Sequence, residues 1–140
     1  MTRVLILLFI VAGLFSASLA QFGYWPVYQV GYGAFSLMAA MISLTFLWLW
    51  ARKETPLALG MSFSWAGAAS VMGWWWMFNV LSQPAAMAEH QVLFLFLSLY
   101  FVGAILHFAA IMRTFDFCVP GYAFPVSIAL LLALAVELVT

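Results

Sequence analysis

This 140-residue chain contains two histidines and four acidic residues, the side chains that could act as acids, bases or metal ligands. His107 shares a helical face with Tyr100 and Gly103, because spacings of three and four residues fall on one side of a helix. The surrounding sequence is apolar, and an ionisable residue inside a membrane is a candidate functional residue. His107 would then ligate a haem or a chlorin, relay a proton, or bind a neighbouring subunit. The alternative is a structural histidine whose imidazole hydrogen-bonds an oxygen of a neighbouring helix.

Three consecutive tryptophans, Trp74, Trp75 and Trp76, form the second candidate cluster. Indole rings are common at membrane interfaces, so an aromatic belt is the simpler interpretation. Successive helical residues turn by about 100°, and three in a row cannot all face lipid if their helix packs on another. Trp76 lies at the edge of a face of small residues and is expected to be buried against protein, lipid or a bound ligand. Trp76, His107 and Tyr100 are therefore the candidate cofactor-binding residues.

Glu89 and His90 lie together near one membrane face, with Asn79, Gln83 and Glu137 expected at the same level. Imidazole and carboxylate groups are suitable metal ligands. No HExxH motif and no second histidine four residues from the first accompany them. Solvated side chains at headgroup level are the better interpretation, and no metal site is predicted.

No catalytic residue is predicted either. The serines lack a GxSxG context, and the single cysteine, Cys118, has no recognisable nucleophile pattern and is interpreted as a small packing residue. An enzyme is therefore the least favoured class, and no cofactor is required by the sequence, although a haem or a chlorin is a candidate. Neutral net charge gives no indication of nucleic-acid binding.

Composition predicts the elements that must position these groups. The chain is 69% hydrophobic and 6% charged, with a mean hydropathy of +1.18, so its solvent is lipid. A membrane-spanning helix takes about 20 apolar residues. The pattern predicts one all-α transmembrane domain over residues 1–140. The predicted spans, five in number, cover residues 4–20, 28–50, 57–81, 91–112 and 119–139.

Orientation follows from the basic residues, which comprise Arg3, Arg52, Lys53 and Arg113. Threading five spans puts all of them on one side, and the positive-inside rule makes that side cytoplasmic. The N-terminus is then inside and the C-terminus outside, in an integral membrane protein of the bacterial inner membrane. Residues 1–20 also resemble a secretory signal peptide; cleavage would leave four spans.

Small residues recur on one face of the second and third spans. Gly33, Ser36, Ala40 and Ser43 share a face, as do Ser62, Ala66, Ala69 and Gly73. Small side chains let helix backbones approach closely in lipid, so the two faces are expected to meet.

The number of spans, the length and the tryptophan content are similar to those of the tryptophan-rich sensory proteins, which bind porphyrins. The likeness is one of composition and assigns no binding residue.

Abundant packing signals and absent catalytic motifs favour a small non-catalytic subunit of a larger respiratory, photosynthetic or transport complex. Its partners would be the lipid bilayer and other membrane subunits or further copies of itself. Two alternatives stay open: a small oligomeric transporter or channel, and a membrane protein that binds haem, pigment or a lipophilic ligand.

Overall fold

The computed structural model describes residues 2–115 and 123–139. All regular structure within these residues is helical, and Cys118 and Thr140 lie outside them. The helices are α1 (Thr2–Phe22), α2 (Tyr24–Lys53), α3 (Pro56–Val80), the short α4 (Ala85–Ala88), α5 (Val92–Phe115) and α6 (Ala123–Val139).

Within the part of the chain that the structure describes, three helical stretches are long and apolar enough to cross a membrane. They are Thr2–Phe22, Tyr24–Lys53 and Ala85–Arg113, with mean hydropathies of 2.3, 1.8 and 2.3. The predicted third span, α3, is long but carries serines, glycines and four tryptophans, which lower its hydropathy. Within the described part of the last span, Val126–Glu137 is a shorter apolar helix. The prediction of an all-α protein is confirmed for the described residues, and three of their helices are long and apolar enough to cross a membrane.

Helix α3 packs between α2 and α5. Against α2, Gly33 meets Trp76 and Ser43 meets Ser62, so residue numbers rise on one helix as they fall on the other. Against α5, Gly60 meets His107 in the same antiparallel sense. The α2–α3–α5 layer that results is the best-packed part of the described structure.

This antiparallel order brings Arg52, Lys53 and Arg113 to one end of the layer, the basic end. The opposite end, the loop end, carries Gly23 and residues 81–91. Three of the four basic residues therefore lie at the same end of the layer.

The expectation that small faces of α2 and α3 meet is confirmed. Ser43 and Ser62 are buried against each other, and Ser36 faces Gly73. One position was wrong: Ala39, only 1% exposed, is the buried alanine of α2, whereas Ala40 is half-buried. The α3 helix passes α2 on the side of Ala39, because the buried residues of α2 follow spacings of three, three and four.

Helix α1 attaches to the layer loosely. It joins α2 through Gly23, whose φ of 78° is a backbone conformation that favours glycine. Its contact with α2 includes the Phe15 ring, which lies over Gly31. No residue of α1 is buried. The half of α1 next to Gly23 lines two cavities together with residues of α2.

Candidate functional site

Three glycines bring α3 and α5 close enough to position the His107 face. A Cβ atom added to Gly60 would lie 2.8 Å from the His107 backbone nitrogen, and one added to Gly67 would meet the Tyr100 backbone. Gly103 of α5 lies equally close to Ser64 of α3. Tyr100, Gly103 and His107 therefore do share a face, and that face packs on α3.

The His107 imidazole differs from the structural interpretation in one respect. Its Nδ1 atom is buried and has no hydrogen-bond partner among the described residues. The ring meets Phe108 edge-on at 6.3 Å between centroids. The hydroxyl or carbonyl partner expected for a purely structural histidine is therefore not found at Nδ1, and the burial of this atom costs free energy. A role of His107 in binding stays a prediction.

The three tryptophans point to three different surroundings, as their helical spacing requires. Trp76 packs on α2: a Cβ atom on Gly33 would lie 2.8 Å from the indole Cε2 atom. Trp76 as a whole is half-buried, and its buried Nε1 atom has no hydrogen-bond partner among the described residues. Trp75 instead meets Phe78, edge-on, at 5.3 Å.

Trp74 faces α5 and the loop that precedes it. Its ring lies 5.5 Å from the His90 ring and 6.0 Å from the Phe96 ring, centroid to centroid. Its Nε1 donates a hydrogen bond to the Met87 carbonyl oxygen at 3.2 Å. Trp74 therefore joins the end of α3 to the start of α5, which is a structural role.

The polar residues at the loop end are engaged in local hydrogen bonds. His90 Nδ1 accepts from the Val92 backbone N–H at 3.2 Å, which satisfies one donor at the start of α5. Asn79 Nδ2 donates to the Trp75 carbonyl at 2.8 Å, and Gln83 Nε2 donates to Asn79 Oδ1 at 3.3 Å. Within residues 2–115 and 123–139, no three His, Cys, Asp or Glu side chains are grouped closely enough to hold a metal ion.

Sequence reasoning missed a row of tyrosines on α2, the tyrosine ladder of Tyr24, Tyr28 and Tyr32. Centroids of neighbouring rings lie 5.7 Å and 4.3 Å apart, and both pairs are stacked. The Tyr28 hydroxyl oxygen accepts a hydrogen bond from Asn79 Nδ2 at 3.1 Å. The signal was present in the sequence, because three tyrosines at successive spacings of four lie on one helical face.

The ladder lines a cavity of about 550 Å³, the tyrosine groove, between α1, α2 and α3. Phe15 of α1 and Met72 of α3 complete its walls. A second cavity of about 580 Å³, the α5-side cavity, shares Phe35 and Met72 with it and continues to Tyr100. Tyr100 therefore lines a cavity as well as the α3 contact, whereas neither cavity is lined by His107 or Trp76.

Comparisons with protein families, with curated proteins and with solved structures find no match for this chain.

Proposed function

We propose that this chain is a small non-catalytic integral membrane subunit that stabilises a larger bacterial-type membrane complex through helix packing. Under this proposal it crosses the inner membrane five times, with its N-terminus in the cytoplasm and its C-terminus outside. Arg52, Lys53 and Arg113 would then face the cytoplasm, in accordance with the positive-inside rule. The α2–α3–α5 layer would be its rigid centre.

The observation that carries the proposal is the use of small residues on two opposite faces of α3. Ser62 and Gly73 lie against α2, while Gly60 and Gly67 lie against α5. Close packing of this kind is the main source of helix association in lipid, where the hydrophobic effect contributes little. A helix specialised for contact on two sides suits a protein whose task is assembly.

The hydrogen bonds made by the polar side chains support the same conclusion. Asn79, Gln83 and His90 make hydrogen bonds that cap or join helices. Ser43 and Ser62 are used in the contact between α2 and α3. Catalysis would need a nucleophile, an acid or a base that is oriented toward a substrate site, and these groups are committed to the fold.

A transporter or channel is less favoured by this geometry. A conduction path needs polar groups that line it. The small-residue faces that would border a narrow path are filled by helix contacts, as at Gly60, Gly67 and Gly103. A transporter or channel would therefore need a path formed between several copies of the chain.

Purification in a mild detergent tests the proposal. The tagged chain, expressed at its native level, is expected to migrate in native gels with larger membrane proteins. Cross-linking before solubilisation should link the chain to the same membrane proteins. A tagged chain that carries Gly60→Leu is the matched control, because the added side chain would force α3 from α5 and should abolish co-purification. The subunit proposal is refuted if the parent chain is recovered only as a monomer or homo-oligomer, both with and without cross-linking.

A further inference from the structure

The tyrosine groove has the dimensions and lining of a small-molecule site. Ligand cavities usually measure about 300–1,000 Å³ and are mostly apolar, with a few placed polar groups. At about 550 Å³ the groove lies in that range, and its lining consists of aromatic and aliphatic residues of α1, α2 and α3. Its side-chain polar atoms are the hydroxyls of the tyrosine ladder. The occupant should therefore be apolar and carry a hydrogen-bonding group.

The ladder favours a flat ring over an acyl chain. Tyr28 and Tyr32 stack at 4.3 Å between centroids, and Tyr32 is 40% exposed, so its ring can be stacked upon further. Planar conjugated rings gain specific stacking energy on such a surface, whereas a saturated chain gains only its area burial. Phe35, 39% exposed, adds a further aromatic side chain next to the ladder.

The Tyr28 hydroxyl sets the polar chemistry of the occupant. Its oxygen accepts from Asn79 Nδ2, and Asn79 is itself held by Trp75 and Gln83. A phenol that accepts one hydrogen bond keeps its own hydrogen to donate. The complementary group on a ligand is therefore an acceptor, such as a ring carbonyl. Among the described residues that line the two cavities there is no Lys, Arg, His, Asp or Glu, which favours a neutral molecule.

The α5-side cavity supplies room for a tail. It adjoins the groove at Phe35 and Met72 and is lined by apolar residues such as Trp65, Ala68 and Leu97. A ring in the groove would lie next to this second space, which has room for a hydrocarbon substituent that passes Phe35 and Met72. We propose that the groove binds a membrane quinone, with its ring against the tyrosine ladder, one carbonyl oxygen accepting from Tyr28, and its isoprenoid tail in the α5-side cavity. This site is independent of whether the chain serves as a subunit.

Binding of decylubiquinone to the purified full-length protein tests the site. The protein is reconstituted in nanodiscs of saturated phosphatidylcholine, and quenching of its aromatic fluorescence is followed against the quinone mole fraction in the bilayer. Tyr28→Phe keeps the ring and removes the hydrogen-bond donor, so half-saturation should rise roughly three- to tenfold, the usual effect of one lost hydrogen bond. Phe35→Leu should weaken binding as well. Phe101→Leu, on the exposed surface of α5, is the matched control and should bind like the parent.

A competition on the unaltered protein separates a quinone from a lipid chain and depends on no variant. Decylubiquinone bound to the parent protein should resist displacement by 1-dodecanol at equal mole fraction, because the alcohol supplies a chain of similar length without the quinone ring. Equal displacement, or half-saturation unchanged in Tyr28→Phe with a native circular dichroism spectrum, would overturn the proposal. The proposal is also overturned if the parent protein shows no more saturable quenching than the Phe35→Leu variant.

Discussion

Ser43 and Ser62 each donate a side-chain hydrogen bond to the other residue's carbonyl oxygen, at 2.9 Å and 3.0 Å. Both side chains are buried, and their hydroxyl oxygens lie 3.5 Å apart. The reciprocal pair links α2 and α3 near the basic end of the layer. It fixes the register of the two helices, because a shift of either helix by one residue would break both bonds.

The first prediction concerns this pair. Ser43→Ala and Ser62→Ala should each lower the free energy of unfolding by about 0.5–1.5 kcal/mol, and the two effects should not be additive, because each hydroxyl also packs against the other. Equilibrium unfolding in mixed detergent micelles measures the double-mutant cycle. Ser98→Ala is the control, since Ser98 is exposed and bonds within its own helix, to the Phe94 carbonyl. Additive losses in the cycle would contradict the reciprocal geometry.

The second prediction concerns the approach of α3 to α5. Gly60→Ala should destabilise the protein by about 1–3 kcal/mol, because the new Cβ atom would lie 2.8 Å from the His107 nitrogen and a backbone must move. Gly13→Ala makes the same chemical change on α1, where a Cβ atom would meet nothing within 4 Å. It should be neutral or slightly stabilising, by up to about 1 kcal/mol from helix propensity. Equal unfolding curves for the two variants would mean that α3 and α5 are not in close contact.

The third prediction compares the buried alanine of α2 with an exposed alanine of the same helix. Ala39→Leu should cost about 1–3 kcal/mol by overpacking, since Ala39 is 1% exposed against α3. Ala34→Leu, at an exposed position on the same helix, should cost less than about 0.5 kcal/mol. Thermal unfolding of both variants in the same detergent measures the difference. A larger loss at Ala34 would place α3 on another side of α2.

The α2–α3 contact is more fully predictable from the sequence than the α3–α5 contact. Small residues at three- and four-residue spacing are enough to identify Ser36, Ser43, Ser62 and Gly73 as contact residues. Periodicity alone cannot choose between Ala39 and Ala40, because neighbouring residues differ by only about 100° and both are small. The choice depends on where α3 lies, which is a tertiary property.

The second small face of α3 was missed for a related reason. Gly60, Ser64 and Gly67 follow the same spacing as the first face, but glycine is permissive and carries no apolar signal of its own. The tyrosine groove was missed because a cavity is made by the angle between helices. Sequence shows that Tyr24, Tyr28 and Tyr32 share a face, whereas the position of Phe15 across from them follows from the bend at Gly23.

The fourth prediction concerns the end of α3. Ser82 has a φ of 61° and its N–H bonds the Asn79 carbonyl oxygen, while the next N–H, of Gln83, bonds the Phe78 carbonyl oxygen at 2.8 Å. This is the Schellman arrangement, whose left-handed position favours glycine. Ser82→Gly should therefore stabilise the protein by up to about 1 kcal/mol, since left-handed backbone costs other residues about that much. Ser98→Gly, in the middle of α5, should destabilise it by a similar amount and serves as the control. A loss of stability in Ser82→Gly would mean that the Ser82 side chain makes a contact that outweighs its backbone strain.

The fifth prediction concerns His107, whose buried Nδ1 atom has no hydrogen-bond partner among the described residues. A structural histidine with a hydrogen-bond partner should tolerate asparagine and suffer from leucine. Because Nδ1 is buried and unpartnered within the described residues, His107→Leu removes an unsatisfied polar atom and should leave the free energy of unfolding unchanged or raise it by about 1 kcal/mol.

Unfolding of the parent, His107→Leu and His107→Asn in the same detergent measures this effect, and a visible absorption spectrum of each preparation shows whether a haem or a chlorin is bound. His107→Asn should be the less stable variant, because it keeps a polar group where no partner stands. A loss above about 1 kcal/mol in His107→Leu, or a chromophore present in the parent and missing from both variants, would show that the imidazole binds a partner or cofactor. That outcome would also weaken the subunit proposal in favour of a cofactor-binding membrane protein.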